Sequence, residues 1–322
     1  MMREITLRKL ELLGKGVTAS VYILDDQRII KVFRDVVPME EIQKEYDCAR
    51  LVESLGIKTP SAREIVRTSD GIGIIYDRVK GITLSDMMQN NRAELFEYGM
   101  RYGQLVKSIH QKKVPRNTLK KDKETMKGLF ENYEGFITDD EREELFSYID
   151  LVPDAECLLH GDIAPVNIMV QDGEFFVIDV PTIMAGNPVF DLLQPYTFCR
   201  ETTKLVESYK NMSEEEKESP IGVFLSRFKA RYLDQLQSKT VWDGFLKGYF
   251  DIDPGEGTEE KDSIEFTLNF YNSVKFMGAV YMRQKFGDEV TGFLVDHGRN
   301  WLLKHKNEMN RLSFSGFYKE EI

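Results

Sequence analysis

Cysteine is scarce in this chain. Cys48, Cys157 and Cys199 are the only three in 322 residues, and no two have Cys-x-x-Cys spacing. Their odd number and wide separation argue against a disulfide framework and against a cysteine zinc site, and fit a reducing, cytoplasmic setting. A basic excess is lacking too. With 43 Lys and Arg against 54 Asp and Glu, the formal charge is -11, and no surplus of cations is available to displace counterions from nucleic acid. Long apolar runs are absent: no window approaches 18 uninterrupted apolar residues, and the N-terminal MMREITLRKLELLGKG has no apolar core of signal-peptide length. Neither a membrane nor a nucleic-acid partner is expected, and the chain is expected to be a monomer or a weak homodimer. What remains is an ordinary balance of 42% hydrophobic and 30% charged residues, long enough for a large core and two lobes.

The first part of the chain has the pattern of strands. Residues 6 to 13 and 20 to 24 are short, apolar and partly alternating, with GKGVTA between them and Asp25-Asp26 as the next turn before a third strand, Arg28 to Phe33. Gly14 and Gly16 let backbone approach a ligand, and N–H groups of such a turn can face phosphate oxygens. Lys31 sits in the middle of apolar IIKVF. A charged side chain there must either point to solvent or find an anion. Pro38 opens a helical run to Gly56, with Ile42, Tyr46, Ala49 and Val52 or Glu53 on one face. Glu45 lies beside that face within reach of Lys31, as does Glu41 one turn earlier.

Two more strands are expected, Ala62 to Thr68 and Gly71 to Val79. After YDRVKG the pattern turns helical, so the lobes are expected to divide as 1–79 and 80–322, with Lys80-Gly81 as the hinge. The backbone of Asp77 to Val79 can pair with an adenine edge. Arg92 to Lys112 predicts a long helix with a buried stripe closed by His110, a packing or capping residue. Residues 113 to 127 are strongly basic, and helices are expected about 120 to 134 and 139 to 149. Later helical periods fall around 202 to 210, 220 to 236, 240 to 250, 262 to 285 and 288 to 306.

The chemistry concentrates between His160 and Asp191, HGDIAPVNIMVQDGEFFVIDVPTIMAGNPVFD. IMV after Asn167 and FFVI before Asp179 flank Asp172-Gly173, a hairpin turn signal. The hairpin would bring Asn167 and Asp179 together at its open end, where hard oxygen ligands suit Mg²⁺ and nucleotide phosphates. Asp162, five residues before Asn167, is placed to meet a substrate hydroxyl.

These segments resemble the aminoglycoside phosphotransferase and choline kinase-like family, relatives of the protein kinases. HGDIAPVN is similar to the family's catalytic loop, and VIDVPTIMAGNPVFDL to its metal-binding segment. Weaker likeness in GKGVTASVY, Lys31, Glu45 and YDRVKG extends it over about residues 5 to 195. The resemblance implies an α+β, protein-kinase-like two-lobed fold: a small N-terminal lobe with a five-stranded antiparallel sheet plus one helix, and a larger helical C-terminal lobe. It implies ATP and Mg²⁺, Asp162 as catalytic base, and Asn167 and Asp179 as metal ligands. Gly14, Gly16, Ser20, Lys31, Glu45, Asp77 and Val79 would then face the nucleotide. His160 would be architectural, and Asp191 would anchor the catalytic loop. Val180-Pro181 after Asp179 departs from the Phe-Gly of protein kinases, and Ala19 replaces their third loop glycine.

Eleven residues separate Asp179 from Asp191, too few for a peptide-docking activation segment. The expected reaction is therefore transfer of the ATP γ-phosphate to a hydroxyl of a small molecule, aminoglycoside-, choline- or sugar-like. The acidic flank Asp251 to Glu265 is either a collar for an amine-bearing substrate or a solvated loop. A protein Ser/Thr kinase-like enzyme, a nucleotide-binding pseudokinase and GTP as donor are the alternatives.

Overall fold

A computed structural model describes residues 2–16, 18–114, 118–229, 235–255 and 257–317. Val17 of the expected glycine turn, 115–117 of the basic run, 230–234 of the helix expected over 220 to 236, and Glu256 of the acidic flank lie outside the described residues. The chain forms two compact units, Met1–Met87 with Pro165–Ile183, and Met88–Ala164 with Met184–Ile322. The sequence divides at 79/80 in the expectation above; in this division the hairpin that follows Asp162 falls with the N-terminal segment.

In chain order the first unit contains β1 (Glu4–Ile5), β2 (Glu11–Lys15), β3 (Ala19–Ile23), β4 (Arg28–Phe33), α1 (Met39–Ser54), β5 (Ala62–Thr68), β6 (Gly71–Asp77) and β7 (Ile82–Thr83). Helix α2 (Leu84–Asn90) follows, then α3 (Leu95–His110), α4 (Asp122–Gly128), α5 (Asp139–Asp150) and β8 (Cys157–Leu159). The chain continues through β9 (Ile168–Gln171), β10 (Glu174–Val177), β11 (Met184–Gly186), α6 (Pro188–Tyr196) and α7 (Thr202–Asn211). It closes with α8 (Glu214–Glu218), α9 (Pro220–Lys229), α10 (Gln235–Phe250), α11 (Glu259–Met277) and α12 (Arg283–His305).

The main sheet has six strands in the order β1-β5-β6-β4-β3-β2, which corrects the expected five, all antiparallel. Residues 6 to 13 are not one strand. The Leu10 N–H closes a turn on the Leu7 carbonyl at 2.9 Å, and β1 before it pairs parallel with β5. Burial explains the break: Leu7 packs into the cluster of Ile30, Val32, Val66 and Ile75, while charged Arg8 and Lys9 stay at the exposed turn. The hairpin β9/β10 has the expected two-residue turn, with φ of 51° at Asp172 and 78° at Gly173. Positive φ at both positions is what a type I′ turn requires, and Asp-Gly supplies it at little cost. Lys80 donates its backbone N–H to the Gln171 side chain, and β7 pairs with β9 just beyond Gly81.

The second unit is organised by α3 against α10. Gly99 and Gly103 on one helix meet Gly244 and Gly248 on the other: a Cβ at Gly99 would strike the Val241 carbonyl, and one at Gly248 the Met100 carbonyl. Missing side chains at four-residue spacing let two backbones touch. Around this seam Tyr102 meets Phe245 edge to face at 5.0 Å, and Trp242 stacks on Phe245 at 5.3 Å. Such aromatic pairs add to what their burial already contributes. Helix α5 begins with a capping box, Thr138 and Glu141 each accepting the other's backbone N–H. Among the described residues no helix is long and apolar enough to cross a membrane.

The seam gives a direct test. Gly248→Ala should force α3 and α10 apart and cost about 1–3 kcal/mol of stability, as overpacked cores do. Urea denaturation measures it, and an unchanged midpoint would show that the helices have room to separate.

Candidate functional site

In the first unit a cavity of about 340 Å³ opens beside the main sheet. Its walls include Leu13, Val21, Ile29, Pro60, Met169 and Ile178, an apolar surface suited to a flat aromatic base. Of the residues nominated from sequence, Gly14, Lys31, Glu45, Asp77, Val79, Asn167 and Asp179 line it. Gly16 and Ser20 do not belong to that lining, and Asp162 belongs to the other unit. A Cβ at Gly14 would meet no protein atom within 4 Å. Neither Gly14 nor Gly16 has a positive φ, so neither is needed for a special backbone angle; Gly14 leaves open space, while a Cβ at Gly16 would meet the Ala19 carbonyl at 3.4 Å.

Lys31 is held from two sides. Its ammonium lies 2.7 Å from Glu45 Oε1 and 3.0 Å from Asp179 Oδ1. Helix α1 turns Glu45 inward beside Ile42 and Ala49, and the Tyr76 hydroxyl donates to the same Glu45 oxygen at 3.1 Å. Tyr76 is a contributor that strand periodicity alone does not reveal. Burial works against the Lys31 ammonium, yet the carboxylates of Glu45 and Asp179 outweigh it and its pKa lies above the ordinary lysine value. Burial, with Glu45 beside it, also pushes the Tyr76 phenol well above its usual range, so the hydroxyl stays a donor.

Asp179 differs from Glu45 in exposure, 50% against 7% for the side chain. Its φ of 59° is a conformation that costs a residue with a Cβ about 1 kcal/mol or more. Asn167 ends the short turn Pro165–Asn167, and its carbonyl accepts from the Ile178 N–H at 2.9 Å, one step past the hairpin register. The pairing therefore carries Asn167 and Asp179 to the same cavity. An amide oxygen and a carboxylate form the hard donor set that Mg²⁺ takes alongside phosphates, so these two residues fit that ion.

At the expected adenine edge, the Asp77 N–H is used by the Ser61 carbonyl at 3.0 Å and the Arg78 N–H by the Gln27 carbonyl at 2.8 Å. The Asp77 carboxylate is clipped by Arg63, Nε to Oδ1 at 2.7 Å. Of the three N–H groups from 77 to 79, that of Val79 is the one with no such backbone acceptor among the described residues.

In the second unit β8 runs into His160, Gly161 and Asp162. Gly161 has φ of 83°, which favours glycine. His160 Nδ1 accepts the Asp162 N–H at 3.2 Å, an architectural role. Asp191, 1% exposed, accepts the N–H groups of His160 and Gly161, each at 2.8 Å. Its Oδ2 also lies 3.0 Å from His110 Nε2, and His110 Nδ1 lies 2.7 Å from the Tyr249 hydroxyl. The histidine that closes the α3 stripe is thus a packed one, as expected. Burial opposes the Asp191 charge, but the His110 hydrogen bond and the neighbouring imidazoles and N–H groups prevail and hold its pKa below the usual value.

Two neighbours of Asp162 carried no signal in the sequence. Gln194 of α6 donates from Nε2 to Asp162 Oδ1, and Lys275 of α11 donates to Gln194 Oε1 at 3.2 Å. The acidic flank lies elsewhere. Asp251 and Asp253 pair with Lys247 at 2.7 and 2.9 Å, and Glu259, Glu260 and Asp262 occupy the first turn of α11. At roughly 1.5 Å per residue, Asp262 is about 20 Å along the helix from Lys275. The described geometry favours the solvated reading of that flank.

Residues 9–220 match the family described as the phosphotransferase enzyme family, and the chain belongs to it. No curated protein matches the chain in sequence. Among solved structures, the ADP-bound aminoglycoside phosphotransferase APH(2'')-Ib is 16% identical, with 97% of this chain and 95% of that one covered and a TM-score of 0.54. The streptomycin and ATP ternary complex of APH(2'')-IIa is 18% identical over 92% and 91%, with a TM-score of 0.52. The GDP and kanamycin complex of APH(2'')-IIia is 15% identical over 94% and 95%, with a TM-score of 0.53. This likeness bears out the α+β, protein-kinase-like fold.

Asp191 yields the second test. Asp191→Asn removes a buried charge from donors arranged for it and should cost about 3 kcal/mol or more. Because the folded-state pKa is depressed below the unfolded 3.8, the stabilisation from its ionisation is present above that value and lost as pH falls through the folded pKa. The stability gap between the wild type and the variant should therefore hold from pH 7 to about 5 and close only below 3.8. Denaturation midpoints across that range measure it, and a gap that closes near neutrality would contradict the assignment.

Proposed function

We propose that this phosphotransferase moves the γ-phosphate of ATP to a hydroxyl of a small molecule. The observation that carries the reading is Lys31 clamped between Glu45 and Asp179 on the wall of a cavity with an apolar side. A lysine held in this way offers a fixed positive charge to the α and β phosphates, and the Val79 N–H offers a donor to the purine edge. Gly14 leaves room for the triphosphate beside β2. Asn167 and Asp179 would hold Mg²⁺, which when bound neutralises charge on the phosphates. On its arrival the Asp179 carboxylate would be shared between the ion and Lys31.

Asp162 would orient the acceptor hydroxyl and take its proton. Asp191 keeps the loop bearing Asp162 rigid by holding the two N–H groups that precede it. Catalysis of this kind is mainly positioning and charge stabilisation. Between Asp179 and Asp191 the chain holds four residues without strand or helix, then β11 and the start of α6, which favours a small acceptor over a peptide. Aminoglycoside-like, choline-like and sugar-like hydroxyl compounds are the classes to screen, in a cytoplasmic setting, with ATP and GTP compared as donors.

Two substitutions separate the roles. Asp162→Asn should lower turnover on the order of 10²- to 10⁴-fold, the range of a lost general base, while Mg·ATP binding by calorimetry stays nearly unchanged. Full turnover would remove Asp162 from the mechanism. Asp179→Asn should instead raise the Mg²⁺ concentration needed for tight nucleotide binding. If titrations with and without Mg²⁺ match the wild type, the metal assignment is wrong.

A further inference from the structure

Gln194 and Lys275 are not explained by the reading above. Together with Asp162 they form a line of carboxylate, amide and ammonium: Asp162 Oδ1 accepts from Gln194 Nε2, and Gln194 Oε1 accepts from Lys275 Nζ at 3.2 Å. The chemistry of the two ends dictates its direction. An ammonium only donates, and an ionised carboxylate only accepts. Of the two ways to turn the amide, one alone satisfies both: oxygen toward Lys275 and NH₂ toward Asp162. The carboxylate by itself already selects the NH₂; the lysine, by holding the amide oxygen at the other end, keeps the amide from swinging away from Asp162.

The frame around this line is tied at a second point. Directly after α6 the chain makes a π-helical turn over Thr197–Glu201, a feature that re-aims side chains on a helix and occurs often at functional sites. Thr197 Oγ1 lies 2.6 Å from the Leu193 carbonyl and 2.7 Å from Asn272 Oδ1. Asn272 precedes Lys275 by one turn on the same face of α11. The turn that bears Gln194 and the turn that bears Lys275 are thereby fixed to each other. Lys275 itself is partly buried. Burial depresses its pKa, against the pull of Asp162 and Asp191. A cation kept there without a role on its neighbours would be a net cost.

We propose that Gln194 is a positioning residue for Asp162, and that Lys275 acts on Asp162 through Gln194 by holding its amide oxygen. The inference rests on Asp162 as the group that meets the acceptor hydroxyl. With Oδ1 committed to the amide, the rotation of the carboxylate is set before the acceptor arrives. A misplacement of about 1 Å in such an arrangement costs on the order of 10²-fold in rate.

The test uses the full chain, with release of ADP from Mg·ATP as readout and water in place of the acceptor. Gln194→Ala should lower kcat about 10- to 100-fold and leave the KM for ATP within about two-fold. Lys275→Met should lower kcat less, and the double variant should be no slower than Gln194→Ala alone, because groups acting through one another are not additive. Additive losses, or losses that fall on the ATP KM, would overturn the proposal. Gln194→Glu, of the same shape, guards against misfolding: it sets one carboxylate against another, should lower kcat with the thermal midpoint held, and full activity would refute the role. A crystal structure of Lys275→Met should show the Gln194 amide drawn away from Asp162; an unchanged contact would refute the part given to Lys275. Full turnover in Asp162→Asn would defeat the reading of Asp162 itself. If that variant is dead while the Gln194 and Lys275 variants keep kcat within about two-fold, only the relay fails.

Discussion

A carboxylate sealed from water must be met by donors, and the second unit is built around one such group. Asp191 collects two backbone N–H groups from the loop that leads to Asp162 and the ring of His110. His110 is the last residue of α3, and it is steadied in turn by Tyr249 on α10. That geometry depends on α3 and α10 lying backbone to backbone, which the four glycines allow. The loop conformation is thus determined by helix packing remote from it in sequence, and any separation of the two helices is transmitted through one histidine to the backbone beside Asp162.

The first unit solves a different electrostatic problem. Lys31 lies on a central strand where burial disfavours its charge, and two carboxylates restore it. They are not equivalent partners. Glu45 is buried, hydrogen-bonded by Tyr76 and carried on a helix, so it is a fixed counter-ion. Asp179 is half exposed on a left-handed backbone position, free of helix and strand. The contrast suits a lysine with one permanent partner and one partner that an incoming ligand can compete for.

Where pattern is local, the sequence was legible. The β3/β4 meander, α1 with Glu45 toward Lys31, the Asp172-Gly173 hairpin and the anchoring by Asp191 all follow from periodicity, turn chemistry or family likeness. What escaped depends on partners distant in the chain. Strand β1 is two residues long, and its parallel pairing with β5 leaves no periodic trace. Gln194 and Lys275 each stand between apolar neighbours on their helices, and nothing local ties either to Asp162. The glycine pairs 99/103 and 244/248 have a visible spacing of four, but their meaning exists only once α3 and α10 are face to face. Gly16 and Ser20 were nominated with Gly14, and of these three only Gly14 belongs to the cavity lining.

The hairpin between Asn167 and Asp179 has one more consequence. Both residues sit at its open end, while its length is decided at the far end, at Asp172 and Gly173. Strand pairing repeats every two residues, so residues added or lost in facing pairs near the tip would lengthen or shorten the ribbon without changing which groups stand at its mouth. The count of residues between two such ligands is therefore a poor measure of their kinship across distant chains. The parity of that count, which governs which face each side chain takes, is the quantity that divergence is constrained to keep.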